Sequence, residues 1–110
     1  MATAEEFFAI DIRVGTVIDA EPFPEARKPS IKMTIDFGPE LGRRHSSAQL
    51  TVHYTPAQLV GRQIIAAVNL GTRRIAGFES EVLVLGAMPT QAEVVLLALE
   101  RPVANGTRIG

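Results

Sequence analysis

An all-β fold is what the sequence predicts, on three observations. Ile12, Val14, Thr16 and Ile18 alternate with Arg13, Gly15, Val17 and Asp19. Ile31, Met33, Ile35 and Phe37 alternate with Lys32, Thr34 and Asp36, so each segment reads as a half-buried strand with a repeat of two. Apolar runs of strand length then recur at Gln63 to Asn69, Val82 to Leu85 and Val94 to Leu99, with a weaker candidate from Arg44 to Val52. Gly15, inside the first strand, reads as a bulge.

Two short helices interrupt the strands. Thr3 with Glu6 has the spacing of a capping box. Thr55-Pro56-Ala57-Gln58 offers an N-cap, a proline at the first helical position and Gln at the third, with Gly61 placed to stop the turn. Three strands, a helix and two further strands are the arrangement expected of a five-stranded OB barrel, here with short helices and terminal extensions over residues 1–110 as a single domain. Such a barrel binds through the loops joining strands one to two and four to five.

Those loops carry charge. The first is Phe23-Pro24-Glu25-Ala26-Arg27-Lys28-Pro29. The second lies within Val68-Asn69-Leu70-Gly71-Thr72-Arg73-Arg74-Ile75-Ala76-Gly77-Phe78-Glu79-Ser80-Glu81, where one apolar run has stopped and the next has not begun. Paired guanidinium groups on a short Gly-containing connection suit phosphate, because Arg stays charged and donates from a planar fork. The formal net charge is −1, yet residues 1–25 hold six carboxylates against Arg13, while residues 26–80 hold eight cations against three carboxylates. The fold brings the two basic loops together, with Lys32 on the outer face of strand two and Arg43 and Arg44 at the entry to strand three. A basic groove results.

Other chemistry is poorly supported. There is no cysteine, so no disulfide framework, thiolate nucleophile or cysteine metal site exists. His45 and His53 stand without a ligand spacing, and Ser46-Ser47 lacks a nucleophile-elbow setting, so the reading is a non-enzymatic protein without cofactor or metal. Met1 to Ile10 lacks the pattern of a signal peptide, and the longest apolar run, Val94 to Leu99, is far too short to span a bilayer; the expectation is a cytoplasmic protein with no membrane insertion. No Trp and one Tyr leave few platforms for stacking bases. Folded RNA, recognised by backbone and shape, is therefore favoured over an extended strand.

The residues also carry a family resemblance. Phe23-Pro24-Glu25-Ala26-Arg27, Tyr54-Thr55-Pro56 through Leu59-Val60-Gly61, and Asn69 followed by Arg74-Ile75-Ala76-Gly77-Phe78-Glu79-Ser80-Glu81 resemble the tRNA-binding domain of EMAP-II-like proteins and of some aminoacyl-tRNA synthetases. The stretch Phe7 to Thr16, Ser80 to Gly86 and the ending Pro102 to Gly110 look like one branch of that family, the small bacterial protein-secretion chaperones. The resemblance implies an OB-fold homodimer, tRNA-binding ancestry and chaperone-like binding of unfolded or exported polypeptides. It carries over Asn69, Arg74 and Ser80 as polar contacts and matches Arg44 to a basic position. The chain has Ala48-Gln49 where the family commonly has Ser-Gly, and Val82-Leu83 where it commonly has Gly-Met.

Two binding modes follow. RNA would be held by Arg27, Lys28, Lys32, Arg43, Arg44, Asn69, Arg73, Arg74 and Ser80, and polypeptide by strand edges with Phe78, Val82 and Leu83. Phe7, Phe8 and Ile10 at one end, and Val94 to Leu99 with Val103 and Ile109 at the other, are surplus to a small barrel and are expected to bury in a two-fold contact.

Overall fold

A five-residue helix α1 (Ala4–Phe8) opens the computed structural model, which describes residues 1–110. The Thr3 hydroxyl accepts from the Glu6 N–H at 3.1 Å and the Glu6 carboxylate accepts from the Thr3 N–H at 2.9 Å, the reciprocal cap its spacing required. Next come β1 (Ile12–Pro22), β2 (Ile31–Asp36), a single turn α2 (Gly38–Leu41), β3 (Arg43–Ala48), α3 (Pro56–Leu59) and β4 (Gln63–Ala67). Two two-stranded excursions remain, β5 (Arg73–Ile75) with β6 (Phe78–Ser80) and β8 (Gly86–Thr90) with β9 (Glu93–Leu96), and between them β7 (Leu83–Val84) returns to the main sheet. In α3 the Gln58 side chain accepts from the Thr55 N–H at 2.9 Å.

The main sheet is antiparallel in the order β3-β2-β1-β4-β7. Its two edges approach each other. Beyond Ser80 the chain runs beside β3, where Glu81 N–H donates to the His45 carbonyl at 2.8 Å and the Ser46 hydroxyl donates to the Val82 carbonyl at 2.9 Å. The sheet is thereby a nearly closed five-stranded barrel of the OB type expected. Ile31, Met33 and Ile35 of β2 point inward as their alternation demands, joined by Phe37, Leu50, Leu59, Ile64 and Val84 in one cluster.

The first strand reads differently from its pattern. Val17 faces the barrel interior, whereas Ile12 and Val14 face outward and form a second cluster with Ile65. Ile18 is exposed. The alternation locates a strand but cannot say which face is covered, and here the carboxyl-terminal segment covers the outer one. β1 pairs with β4 through residues 12–16 and with β2 only from Thr16 onward. The open edge at Ile12 to Val14 is filled by the tail: Val14 N–H donates to Thr107 O (2.9 Å), Gly106 N–H to Val14 O (2.7 Å) and Ile109 N–H to Ile12 O (2.8 Å). Ile109 packs with Leu85 and Leu99 on the outer cluster. Of the terminal apolar residues expected in a two-fold contact, Leu96 joins the inner cluster and Leu99 and Ile109 pack on the outer one, while Val95, Leu97 and Val103 stay exposed.

Nor is Gly15 a bulge. It pairs in register with Ile64, and the register shift falls between Val17 and Asp19. Glycine is needed for closeness, since a Cβ there would sit 2.6 Å from Ile35 Cγ2 and 2.8 Å from the Phe37 ring. Gly15→Ala is expected to cost about 1–3 kcal/mol through forced repacking of that pair, read as a lowered urea midpoint. An unchanged midpoint would show that the interior has slack.

The other strand boundaries shift modestly. The third strand ends at Ala48 rather than Val52, the fourth at Ala67 rather than Asn69, and the last at Leu96 rather than Leu99. The β5–β6 hairpin and the strand β8 were not legible as strands.

Candidate nucleic-acid interface

The second basic segment is a tight hairpin. Ile75 lies opposite Phe78, leaving a two-residue turn in which Ala76 and Gly77 have φ of 48° and 81°. Two successive positive φ values give the turn a twist that matches the strands it joins. Gly77 takes such a value freely, while Ala76 holds it at a cost of roughly 1–2 kcal/mol. Docking compensates: Phe78 meets Phe23 of the first loop edge-on at 5.5 Å and His45 of β3 at 5.7 Å, and Lys32 Nζ lies 5.0 Å and 5.5 Å from the Phe23 and Phe78 ring centroids. This aromatic joint fixes the arginine hairpin against the loop that carries the other basic pair.

The result is a shared cavity of about 710 Å³. Arg27 and Lys28 line it from the first loop, and Arg73 and Arg74 from β5. The facing wall is apolar, formed by Ile75, Leu83, Met88 and Val94, and Gln49 and Gln91 add amide groups. Of the four cations only Arg74 has a carboxylate within ion-pair distance, Glu79 at 3.2 Å on the neighbouring strand. Both partners are well exposed, so the pair is worth at most about 1 kcal/mol and a phosphate can displace it. The two basic loops do converge, as the fold predicted.

The remaining candidates are placed elsewhere. Lys32 sits in a neighbouring depression of about 140 Å³ with Phe78, where Glu21 pairs with it at 3.1 Å. Arg43 and Arg44 border neither space; they stand opposite Asp36 and Ile35 at the far end of β3, and Arg44 Nε donates to the Leu41 carbonyl. Asn69 is a bracket, accepting from the Asp11 N–H at 2.8 Å and donating to the Ala9 carbonyl at 2.9 Å, which ties α1 to the end of β4. Ser80 is buried and its hydroxyl accepts from the Ser47 N–H at 3.0 Å. Val82 belongs to the interior and offers no surface, while Leu83 beside it is half-exposed on the cavity wall. Motif position alone did not separate Asn69 and Ser80, which hold the frame, from Arg74, which faces solvent. Met88 and Gln91 escaped the sequence reading because nothing in Gly86 to Gln91, with Pro89 inside it, announces a strand; Gln49 stood out there only as a departure from the family pattern.

Each histidine faces one glutamate: His45 lies 3.4 Å from Glu81 and His53 2.6 Å from Glu93. Arg13 is held by Asp11, Glu40 and the Gly106 carbonyl, pinning the tail, and the hydrogen bond to Asp11 pushes its guanidinium above the ordinary arginine value. No helix is long and apolar enough to cross a membrane.

Comparison with known proteins agrees with this geometry. The family described as "Putative tRNA binding domain" matches residues 12–108, all five strands of the barrel and the tail that completes it. The chain belongs to that tRNA-binding-domain family. Its family relatives include the methionine–tRNA ligase of Porphyromonas gingivalis, 36% identical over 105 residues, and that of Methanococcus aeolicus, 33% identical over 105. The match takes in 96% of this chain but 15% of each ligase. Among solved structures, the chaperone CsaA of Bacillus anthracis superposes with a TM-score of 0.95 at 53% identity, covering 100% of this chain and 99% of that one. The CsaA chaperone protein of Picrophilus torridus gives 0.91 at 43%, covering both chains fully. The narrower resemblance read from the opening, the Ser80 to Gly86 stretch and the closing segment, to the chaperone branch of this family, is borne out in these CsaA structures.

Proposed function

We propose that this chain is a non-enzymatic, CsaA-like homodimer of the cytoplasm that binds tRNA or a similar folded RNA through a basic groove and chaperones unfolded or exported polypeptides. What carries the reading is the meeting of Arg27, Lys28, Arg73 and Arg74 on one cavity, three of them without an ion-pair partner. Such a rim gains affinity by releasing counterions from a phosphate backbone. None of the residues lining the cavity is aromatic, so bases have no shelf there and shape recognition of folded RNA is favoured. The apolar wall favours a second reading, a peptide-binding secretion chaperone with no physiological RNA role.

One titration separates them. Full-length protein is offered folded tRNA, an unstructured oligonucleotide of equal charge and an unfolded polypeptide across a salt series. Folded tRNA should bind tightest among the nucleic acids and weaken steeply with salt. Equal affinity for both nucleic acids would reduce the RNA claim to generic polyanion binding, and peptide binding alone would leave the second reading.

A further inference from the structure

We infer that the cavity holds client polypeptide by segments in which an apolar side chain and a carboxylate lie side by side, and that RNA and such a segment exclude each other there; this rests on both halves of the function proposed above. Rim and wall are not separate surfaces. Arg73 and Arg74 border the cavity together with Ile75, the next residue of β5, so one short strand supplies two cations and part of the apolar wall. Leu83 and Met88 extend that wall and are each more than half exposed, leaving uncovered apolar surface inside a cationic frame.

The charge balance selects the client. Arg27, Lys28, Arg73 and Arg74 border the space, and Glu25 is the one carboxylate that does. Three of those cations have no ion-pair partner, so a segment entering with carboxylates gains charge-assisted hydrogen bonds. A segment entering with ammonium groups meets like charge. A wholly apolar segment covers the wall but takes water from the rim without replacing it. The phosphates and ribose hydroxyls of a folded RNA match the rim and leave the wall bare.

Exclusion follows from size and charge. A cavity of about 710 Å³ lies in the range that encloses a single drug-sized ligand, so it has room for one occupant. Once phosphates have neutralised the rim, an incoming carboxylate faces phosphate instead of guanidinium. The two occupants also respond differently to salt. RNA held through counterion release leaves as ionic strength rises, while the client keeps its apolar contact. Raising salt therefore passes the cavity from RNA to polypeptide.

The test uses fluorescence anisotropy with the full-length protein, a labelled ten-residue peptide alternating Leu and Glu, and unlabelled tRNA as competitor. Without tRNA, replacing every Glu by Lys, or every Leu by Ser, is expected to weaken the peptide about tenfold. With tRNA, the apparent Kd of the peptide should climb in proportion to tRNA concentration and reach no plateau. Arg73→Ala with Arg74→Ala is expected to weaken both ligands at least about tenfold. Leu83→Ser with Met88→Ser, at exposed positions, should weaken the peptide by a similar factor while leaving tRNA affinity and the thermal melt unchanged. Peptide binding untouched by saturating tRNA would overturn the exclusion and leave the proposed function standing. Peptide affinity indifferent to the arginine changes would overturn it too, because tRNA would then obstruct the peptide only by its bulk. Equal binding of the Glu and Lys peptides would overturn the choice of client. If either tRNA or every peptide fails to bind, that half of the proposed function falls and the exclusion falls with it.

Discussion

Changing Arg73 and Arg74 together to Ala is expected to weaken tRNA binding roughly 10- to 100-fold at low salt and to flatten its salt dependence. The two side chains stand on one short strand, exposed, with a single weak ion pair between them and the rest of the protein. Each phosphate contact contributes about one unit to the slope of log affinity against log salt, so losing two should reduce that slope by nearly two. The hairpin itself should persist, since its turn and its docking depend on Gly77 and Phe78 rather than on the arginines. Arg43→Ala with Arg44→Ala is the informative control. These residues carry the same charge in the sequence but border no part of the cavity, so a much smaller loss is expected. Equal losses from the two pairs would mean that overall positive charge, and not this cavity, captures the RNA.

The contrast between those pairs shows where the sequence was informative. Barrel strands and helix caps were legible because alternation and capping are local, and the convergence of two basic loops followed once the barrel was inferred. What stayed hidden depended on partners distant in the chain. Asn69 has the same motif standing as Arg74, yet its amide is consumed by Asp11 and Ala9, some 60 residues away. Val82 and Leu83 are adjacent and equally apolar, and only their opposite directions across the strand make one interior and the other cavity wall. The β5–β6 hairpin carries no strand signal in the sequence because its strands are three residues each, with little β-branched content, and are held by an aromatic joint to Phe23 and His45. Gly15 misled for a similar reason: a glycine in a strand signals a missing side chain without saying whether the backbone bulges or a neighbour needs the room.

Deleting Pro102 to Gly110 is expected to destabilise the fold of each copy more than it disturbs association between copies. The tail supplies three main-chain hydrogen bonds to the open edge of β1, covers Ile12, Val14 and Ile65 with Ile109, and accepts from Arg13 through the Gly106 carbonyl. At about 1 kcal/mol net for each hydrogen bond and about 1.5 kcal/mol or more for the apolar cover, the loss is on the order of 4 kcal/mol. A chain of this size should then melt roughly 15–25 °C lower. The surface proposed for the homodimer lies instead at the other end, where Phe7 and Phe8 remain 44% and 50% exposed beside Ile10 after the chain has folded. Two adjacent aromatic rings left in solvent on a helix tied down by Asn69 are a ready anchor for a two-fold contact, and pairing would set two cationic cavities on one particle, raising avidity for a large ligand. Sedimentation at micromolar concentration should therefore find the full chain dimeric, the truncated chain still dimeric below its lowered melting point, and Phe7→Asp with Phe8→Asp monomeric yet folded. A full chain that sediments as a monomer would remove the dimer from the proposed function, and a truncated chain that melts normally but sediments as a monomer would return the interface to the tail.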